Sequence, residues 1–313
     1  MTRKALVTGG AGFVGSHLVG LLVDNGWEVL VIDDLSSGVL ENLAGARRRG
    51  KVAVHVTGIG TPELADVAER FGPEVVFHLA AQVKVPVSVA DPVRDAETNI
   101  LGTLNVLESA RRSGARKVVF ASSGGAVYGP RTRMPAKERS ARVPPTPYGI
   151  SKKIVEDYFR WYLENHGLNY VLLAPSNIYG PRQDAGAEGG VVAVFIEQML
   201  AGNRPTVYGD GNQTRDFVYV ADVVDAFLRG ADAGNGVFLN IAGGVETSIA
   251  ALYEQVAAII DFPVRPDFVA PRAGDVARSV LDPGRAKTVL GWEAWTSLEN
   301  GLVATVEWFR ARD

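Results

Sequence analysis

KALVTGGAGFVGSHL, residues 4–18, is the stretch that decides the fold of this chain. Its first part is short and apolar, as expected of a buried parallel strand. Gly9, Gly12 and Gly15 follow at once, and glycines at this spacing let the backbone turn tightly and approach a pyrophosphate. Residues 16–25 then predict a helix whose first amides and positive dipole end would face the phosphates. The order of strand, glycine-rich turn and helix therefore favours a nucleotide site.

A second strand, predicted over residues 28–32, ends at Asp33. A carboxylate at this place can accept hydrogen bonds from both ribose hydroxyls of a dinucleotide, and it would repel a 2′-phosphate. The sequence therefore predicts NAD rather than NADP as the cofactor. A glycine-rich turn without a ligand is the alternative, and the correctly spaced acid argues against it.

Strands and helices go on alternating as far as about residue 175. Further strands are predicted at Val52–Val56, Glu74–Leu79, Val118–Ala121 and Val171–Ala174, and helices at Pro62–Phe71, Asp91–Ser113 and Pro147–Asn165. This alternation predicts an α/β fold, a Rossmann-type doubly wound parallel sheet whose ligands bind beyond the carboxyl ends of the strands. The later residues are irregular and rich in glycine and proline, and we expect a smaller C-terminal substrate-binding domain there.

Tyr148 and Lys152 stand four residues apart at the start of a predicted helix, so they share one helical face. On a protein with a dinucleotide site, such a pair is typical of a redox base. The ammonium of Lys152 and a positive nicotinamide ring would both favour the phenolate of Tyr148. A tyrosine of this kind can take a hydroxyl proton while hydride leaves the same carbon. By spacing alone the pair would be an ordinary surface contact, so this interpretation depends on the nucleotide site.

Composition limits the classes of function that need to be considered. The 313 residues suffice for one large domain or two closely packed ones, and 47% are apolar and 21% charged, as in a globular protein. A net charge of −3 argues against nucleic-acid binding. The sequence has no cysteine, which excludes disulfides, thiolate catalysis and cysteine zinc sites, and we expect no metal. No signal peptide or membrane span is recognisable, so we expect a cytoplasmic protein without a membrane partner.

Six motifs in a fixed order identify a resemblance. They are Thr8–Gly15, His78–Ala81, Ser122–Gly129, Pro147–Lys152, Tyr179–Gln183 and Gly209–Phe217. On these motifs nearly the whole chain resembles an extended short-chain dehydrogenase/reductase, and within that family it is similar to the shorter prokaryotic UDP-glucose (UDP-galactose) 4-epimerases. The resemblance implies an NAD-dependent isomerase that interconverts the 4-epimers of a UDP-hexose through a transient 4-keto sugar.

The resemblance assigns catalytic roles to Tyr148, Lys152 and Ser123. Tyr148 would be both acid and base, Lys152 would bind the nicotinamide ribose and lower the pKa of the tyrosine, and Ser123 would hydrogen-bond the sugar O4. Ser122 is the alternative to Ser123, because the glycines that follow leave the alignment ambiguous by one position. Either serine could instead cap a turn at a strand end.

The resemblance also implies a cofactor site, in which Asn99 would be buried near the cofactor. An ordinary contact between helices is the alternative for Asn99. The full set of expected cofactor residues is Gly9, Gly12, Phe13, Val14, Gly15, Asp33, Asp34, Ser37, Gly38, Ile59, Leu79, Ala80, Ala81, Asn99, Tyr148 and Lys152.

Arg215, Arg272 and Asp275 match positions that hold UDP in the family. A planar guanidinium pairs well with a diphosphate, although a surface ion pair is the alternative for each arginine. Ser279 is small at a position where bulk limits N-acetyl sugars, so UDP-N-acetylhexosamines would also fit. The full set of expected substrate residues is Lys84, Ser123, Asn177, Val191, Tyr208, Arg215, Arg272 and Asp275.

Other reactions and other classes of protein compete with this interpretation. Sugar-nucleotide 4,6-dehydratases and uronate decarboxylases place acids just after the catalytic hydroxyl, where this chain has Gly124, Gly125 and Ala126. Without a carboxyl group there, dehydration lacks its acid and base. A UDP-glucuronate 4-epimerase is the first alternative, because Lys84 could bind the carboxylate, although Asp184 would oppose it. A non-enzymatic NAD-sensing regulator is the other class, which the retained tyrosine–lysine pair argues against.

Two domains and a homodimer are also expected. The NAD-binding domain would comprise residues 1–174 plus about 213–242, and the UDP-sugar-binding domain about 175–212 plus 243–313. Apolar stripes on the two long helices exceed what one sheet face needs, so we expect a twofold dimer through a four-helix arrangement. The stripe residues are Ile100, Leu104, Leu107, Ile154, Tyr158, Trp161 and Tyr162.

Overall fold

A computed structural model of the chain describes residues 2–186, 189–271 and 276–312. The described part has an α/β architecture with one large parallel sheet and smaller sheets beyond it. Arg272 and Asp275, two of the predicted substrate residues, lie outside the described residues.

The large sheet contains seven strands in the described part of the chain, and every pairing in it is parallel. They are β1 (Lys4–Thr8), β2 (Glu28–Asp33), β3 (Val52–Val56), β4 (Val75–His78), β5 (Lys117–Ala121), β6 (Asn169–Pro175) and β10 (Val237–Ile241). The order across the sheet is β3-β2-β1-β4-β5-β6-β10, so the direction of winding reverses between β1 and β4. This order confirms the predicted doubly wound Rossmann-type sheet, in which ligands bind at the reversal.

The strands are apolar throughout because helices cover both faces of the sheet. On one face, Phe77 of β4 packs against Trp27. On the other face, Phe120 of β5 packs against Phe159. All four rings are buried, so the core extends over both sides of the sheet.

The helices around these sheets are bounded as follows. They are α1 (Phe13–Asp24), α2 (Ala44–Arg49), α3 (Glu63–Phe71), α4 (Val85–Ala90), α5 (Pro92–Ala96), α6 (Gly102–Arg112), α7 (Gly124–Val127), α8 (Pro147–His166), α9 (Val191–Leu200), α10 (Val220–Gly230), α11 (Ile249–Ile260), α12 (Gly284–Leu290) and α13 (Leu298–Arg312). A short 3₁₀ turn, Leu40–Leu43, precedes α2. Across the three described ranges, none of the helices combines the length and the apolar character needed to cross a membrane.

The predicted long helix over 91–113 is a continuous helical run whose winding changes in the middle. Asp91 caps its start, because the carboxylate accepts the N–H of Arg94 at 3.0 Å. Helix α5 then passes into a π-helical turn, Glu97–Leu101, before α6 continues. A single π-helical turn often marks a functional site, and this one contains Asn99.

Strand β9 (Thr214–Tyr219) lies at the centre of a smaller sheet. Its neighbours are β7 (Asn177–Tyr179), β11 (Glu246–Ser248) and β13 (Arg278–Ser279), while β8 (Thr206–Tyr208) pairs with β12 (Asp267–Val269). This part has its own core around Phe195, Tyr253 and Phe309. Helix α10 and β10 return to the large sheet, which supports the division into two domains as a proposal.

The amino edge of the large sheet carries a network of ion pairs. Arg3, just before β1, contacts Glu74 at 2.8 Å and Asp232 at 2.7 Å. Arg116, just before β5, contacts the same two carboxylates at 2.9 and 2.7 Å. The hydrogen bonds from Arg3 lower the pKa of both acids. The network therefore ties the beginnings of two strands to the turn after α10.

Candidate active site

The carboxyl ends of β2, β1, β4, β5 and β6 are neighbours in the large sheet. The glycine-rich turn follows β1, Asp33 ends β2, Leu79 follows β4, and Ser122 follows β5. Because parallel strands end at the same edge of a sheet, these candidates are brought together in one crevice.

The turn after β1 is packed so closely that side chains would not fit in it. Gly9 has a φ of +70°, and a Cβ on it would lie 2.7 Å from the amide nitrogen of Ala80. A Cβ on Gly15 would lie 2.0 Å from the carbonyl oxygen of Gly9. Gly12 then begins α1, and within the described ranges no side chain caps this helix. The first amides of α1 thus form a cradle that fits the pyrophosphate of a dinucleotide.

Asp33 is buried at the end of β2, and backbone amides hold its carboxylate. Oδ2 accepts a hydrogen bond from the N–H of Ala11 at 2.9 Å, and Oδ1 accepts one from the N–H of Leu35 at 2.9 Å. Since a carboxylate has about four acceptor positions, it can still accept two ribose hydroxyls. This geometry supports the role predicted for Asp33.

The loop after Asp33 is shaped by Asp34. One oxygen of Asp34 accepts the N–H of Ser36 at 2.9 Å and the hydroxyl of Ser36 at 2.6 Å. Ser37 is exposed, whereas Gly38 is buried against the glycine-rich turn. This loop therefore lies where the adenosine end of a dinucleotide would lie in a Rossmann-type sheet.

Asn99 positions the segment Leu79–Ala81 that follows β4. Its Oδ1 accepts the N–H of Gln82 at 3.0 Å, and its Nδ2 donates to the carbonyl of Gln82 at 2.9 Å and to Asp95 Oδ1 at 2.9 Å. Both hydrogens of Nδ2 are thus used inside the protein. Asn99 therefore holds the chain just after Leu79–Ala81 in place, and its role near a cofactor stays a prediction.

His78 connects β4 to β1 and α6, next to the segment Leu79–Ala81. Its Nδ1 lies 2.8 Å from Thr8 Oγ1, and its Nε2 lies 3.0 Å from Thr103 Oγ1. Burial lowers the pKa of His78 to about 3, and the charge of Lys152 lowers it further. The imidazole is therefore neutral at ordinary pH, and it serves as a structural bridge. Ile59, another of the predicted cofactor residues, is buried after β3 and packs against Gly102.

Tyr148 and Lys152 lie in the first two turns of α8, and both side chains are buried. Tyr148 lies close enough to Ser123, which follows β5, for the serine hydroxyl to lower the pKa of the phenol. Lys152 Nζ donates to the carbonyl of Ala121 at 2.9 Å and lies 5.9 Å from the ring centre of Tyr148. The phenol and the amine of α8 thus lie beside the hydroxyl of Ser123 at the end of β5.

The structure distinguishes between the two serines after β5. Ser123 reaches Tyr148, whereas the Oγ of Ser122 is buried and has no hydrogen-bond partner among the residues described. Ser123 is therefore better placed than Ser122 to hold a sugar hydroxyl beside the phenol.

The expectation that Lys152 lowers the pKa of Tyr148 is not met by the protein's own residues. Burial, together with the charge of Asp95, raises the pKa of Tyr148 to about 12, although the hydroxyl of Ser123 lowers it. Burial also lowers the pKa of Lys152 to about 7, so this lysine is only partly charged near neutral pH. A partly charged amine almost 6 Å away does not outweigh the burial of the phenol.

The predicted substrate residues lie on the other side of the crevice, in and around the smaller sheet. Asn177 begins β7, and its Nδ2 donates to the backbone carbonyl of Asp216 at 3.0 Å. One nitrogen of Arg215 donates to the carbonyls of Thr214 and Val276, both at 2.8 Å. Arg215 thus ties β9 to the segment in front of β13. Ser279 is buried and pairs with Arg215 in the sheet.

Three further predicted residues lie at the ends of elements. Val191 begins α9 and is half-buried, Tyr208 ends β8 and is partly exposed, and Lys84 is exposed just before α4. Their positions are compatible with a substrate that lies between the two sheets, and their role stays a prediction.

Three buried acids in the described structure, Asp95, Asp216 and Asp222, had no predicted role. Asp216 accepts the amides of Gly243, Gly244 and Leu281 at 3.0 to 3.2 Å, and burial raises its pKa to about 6. Asp216 lies within the motif Gly209–Phe217, although no role was assigned to it there. Asp95 lies outside the six motifs, so the sequence offered no signal for it.

Comparison with known proteins agrees with this geometry. Residues 5–242 match the NAD dependent epimerase/dehydratase family. Over 308 residues the chain is 46% identical to the UDP-glucose 4-epimerase of Mycolicibacterium smegmatis, with 98% of each protein covered. It resembles a solved UDP-glucose 4-epimerase from Thermotoga maritima with UDP-glucose, at a TM-score of 0.96, 44% identity and 99% coverage of both chains. It also resembles a UDP-N-acetylglucosamine 4-epimerase from Methanobrevibacter ruminantium in complex with UDP-N-acetylmuramic acid, at a TM-score of 0.95 and 33% identity, with 100% of this chain and 99% of that one covered.

Proposed function

The chain belongs to the NAD-dependent epimerase/dehydratase family, and from this premise we propose that it interconverts the 4-epimers of a UDP-hexose. It is an NAD-dependent isomerase of the extended short-chain dehydrogenase/reductase type, whose substrates are UDP-glucose and UDP-galactose. The observation that carries this function is the buried Tyr148, close to Ser123 and flanked by Lys152, at the same sheet edge as the glycine-rich turn.

Tyr148 Oη is the atom that takes the proton of the sugar O4 and later returns it. When bound, NAD supplies a hydride acceptor and then a hydride donor, and its positive ring adds the charge that favours the Tyr148 phenolate. Ser123 holds O4 beside the phenol, and Lys152 holds the ribose hydroxyls next to it. The phenol is only 8% exposed, so water is largely excluded from the proton transfer.

Epimerisation requires that the same carbon is first oxidised and then reduced from its other face. The transient 4-keto sugar must turn while its UDP stays bound, and the proton then returns from Tyr148 to O4. The net redox change is zero, so the dinucleotide has to remain in place between turnovers. The cradle of α1 and the carboxylate of Asp33 would hold it there.

The elements after Ser123 support epimerisation over dehydration. Helix α7 begins directly after this serine, and its residues Gly124–Val127 carry no carboxyl group. Asp95 faces the pair from α5, but both of its oxygens are engaged by hydrogen bonds. Among the described residues, this part of the site therefore offers no free acid and base for the elimination of water.

The range of sugars is a finer part of the proposal. Ser279 is small and buried where bulk would limit an N-acetyl group, which supports UDP-N-acetylhexosamines as further substrates. The test is to incubate the protein separately with UDP-glucose, UDP-N-acetylglucosamine and UDP-glucuronate and to follow each 4-epimer by its anomeric proton in NMR. We expect turnover of the first two. Preferential turnover of UDP-glucuronate would contradict the choice of sugar, and a 4-keto-6-deoxy product would contradict the reaction.

A homodimer is a further part of the proposal. Helix α8 carries an exposed apolar stripe of Ile150, Ile154, Tyr158 and Trp161, each 39 to 48% exposed. Leu107 and Tyr162 are buried within the protomer instead, so these two predicted stripe residues cover the sheet. The exposed stripe supports a twofold pairing through α8.

A further inference from the structure

We propose that Asp95 is a positioning residue for the reaction, and that its buried carboxylate anchors the start of α8 and sustains the positive charge of Lys152. The inference rests on the proposed function, because it takes Tyr148 as the proton carrier and Lys152 as its neighbour.

The carboxylate of Asp95 is fully buried and accepts three hydrogen bonds. Oδ1 accepts from Gln82 Nε2 at 3.1 Å and from Asn99 Nδ2 at 2.9 Å. Oδ2 accepts from Ser151 Oγ at 2.6 Å. The three donors come from the segment after β4, the π-helical turn and α8. Asp95 therefore connects three elements, and it contacts α8 at Ser151, the residue directly before Lys152.

A carboxylate whose donors are neutral side chains is costly to bury. The same three elements could be packed together by a neutral amide or by apolar residues at a lower cost. The negative charge of Asp95 therefore has a role beyond packing. The titratable groups on which this charge acts indicate what that role is.

The charge of Asp95 acts on both members of the pair. It raises the pKa of Lys152, whereas burial lowers it and has the larger effect, so that the pKa is about 7. It also raises the pKa of Tyr148, in addition to the effect of burial. Asp95 thus favours an ammonium at Lys152 and a neutral phenol at Tyr148 until a positive ligand group is present.

The other titratable groups around the pair do not supply this charge. Lys152 interacts with His78 from β4, with Tyr148 on its own helix, and with Asp95. Tyr148 interacts with the hydroxyl of Ser123, with Asp95 and with Lys152. His78 is neutral above about pH 3. Among the groups named here, Asp95 is the anion that acts on both.

The first experiment compares Asp95→Asn with the wild type in the pH dependence of kcat/KM for 4-epimerisation. The two limbs of the profile report the ionisations of Tyr148 and Lys152. Loss of the negative charge lowers the pKa of both groups, so both limbs should move to lower pH by roughly one unit. Asp157→Asn is the matched control on α8, because Asp157 is 76% exposed and pairs with Arg160. Its profile should coincide with that of the wild type.

A merely structural role would give a different result. Asp95→Asn would then lower the height of the profile and leave both limbs where they are, which would overturn the proposal. A shift of the limbs to higher pH would overturn it as well, because its sign is opposite to the loss of an anion.

An NMR titration keeps the proposal testable without turnover. The Nζ resonance of Lys152 should titrate at a lower pH in Asp95→Asn than in the wild type. An unchanged Lys152 would refute the inference. A protein that turns over none of the UDP-hexoses while passing this titration would refute the proposed function only.

Discussion

Lys152 Nζ donates a hydrogen bond to the carbonyl oxygen of Ala121 at 2.9 Å, so helix α8 is tied to the end of strand β5. The same strand end continues into Ser123, whose hydroxyl lies near the phenol of Tyr148 and lowers its pKa. One buried strand terminus therefore supports the amine, the hydroxyl and the phenol together. Groups held in this way need little rearrangement before the chemistry, which is a main source of catalytic rate.

Tyr148→Phe should lose turnover while it keeps the binding of NAD and UDP-sugar. The ring and its packing are retained, and only the proton carrier is removed. General acid–base groups contribute roughly 10²–10⁴-fold to rate, and we expect a loss of at least this size. Turnover by NMR and binding by calorimetry measure the two properties separately. Tyr158→Phe, at an exposed position of the same helix, is the control and should retain activity. Activity like that of the wild type in Tyr148→Phe would exclude the mechanism.

Asp33→Ser should weaken NAD binding and reduce the discrimination against NADP. Hydrogen bonds to a charged group contribute about 1.5–3 kcal/mol, so the affinity for NAD should fall roughly 10- to 100-fold. The wild type should purify with dinucleotide bound, which is measured in the supernatant after denaturation, and the variant should carry less of it. Glu28→Gln, at the opposite end of β2, serves as the control. Preferential binding of NADP by the wild type would contradict this argument.

Glu156 should make the stability of the protein fall with rising pH over a defined window. Burial raises the pKa of this carboxyl from 4.5 to about 7, although Arg142, 2.6 Å away, lowers it. Between these two values the folded state keeps a proton that the unfolded state has lost. The contribution of Glu156 to the free energy of unfolding therefore decreases as pH rises from about 4.5 to 7, by an amount on the order of 1–3 kcal/mol.

Urea unfolding at pH 5 and pH 8 tests this prediction. The stability of the wild type relative to Glu156→Gln should be lower at pH 8 than at pH 5. Glu164→Gln, at an exposed position of the same helix, should show no such difference. A relative stability that stays constant or rises with pH would contradict the assignment.

Ile154→Arg should convert a dimer into a monomer. The substitution places a charge in the middle of the exposed stripe of α8, where pairing with a second copy would bury it. Sedimentation equilibrium at micromolar protein should give half the mass of the wild type. Trp295→Arg introduces the same charge at a more exposed apolar residue elsewhere and should leave the mass unchanged. A wild type that is already monomeric would exclude the pairing.

Most of the fold could be predicted because its signals are local. The strands predicted at residues 4–8 and 118–121 are present in the structure, and the glycines between β1 and α1 lie where the turn was expected. The predicted helix over 147–165 ends within one residue of its observed boundary. The π-helical turn Glu97–Leu101 was missed, because nothing in its sequence departs from an ordinary amphipathic helix.

The electrostatic state of the site could not be predicted in the same way. Asp95 is one acid in a helix that also carries Arg94, and such residues are usually exposed. Its burial arises from Gln82, Asn99 and Ser151, which lie as many as 56 positions away along the chain. The predicted lowering of the pKa of Tyr148 was not met for the same reason. Burial of the phenol depends on distant segments of the chain, and the spacing of two residues on one helix does not reveal them.

The ion pairs of Arg3 and Arg116 with Glu74 and Asp232 lie at the amino edge of the sheet, about one strand length or roughly 16 Å from the carboxyl edge. Networks of this kind stabilise proteins most at high temperature, and salt screens them when they are partly exposed. We therefore expect substitutions in this network to change the heat resistance of the enzyme at one edge of the sheet and to leave turnover at the other edge unaltered.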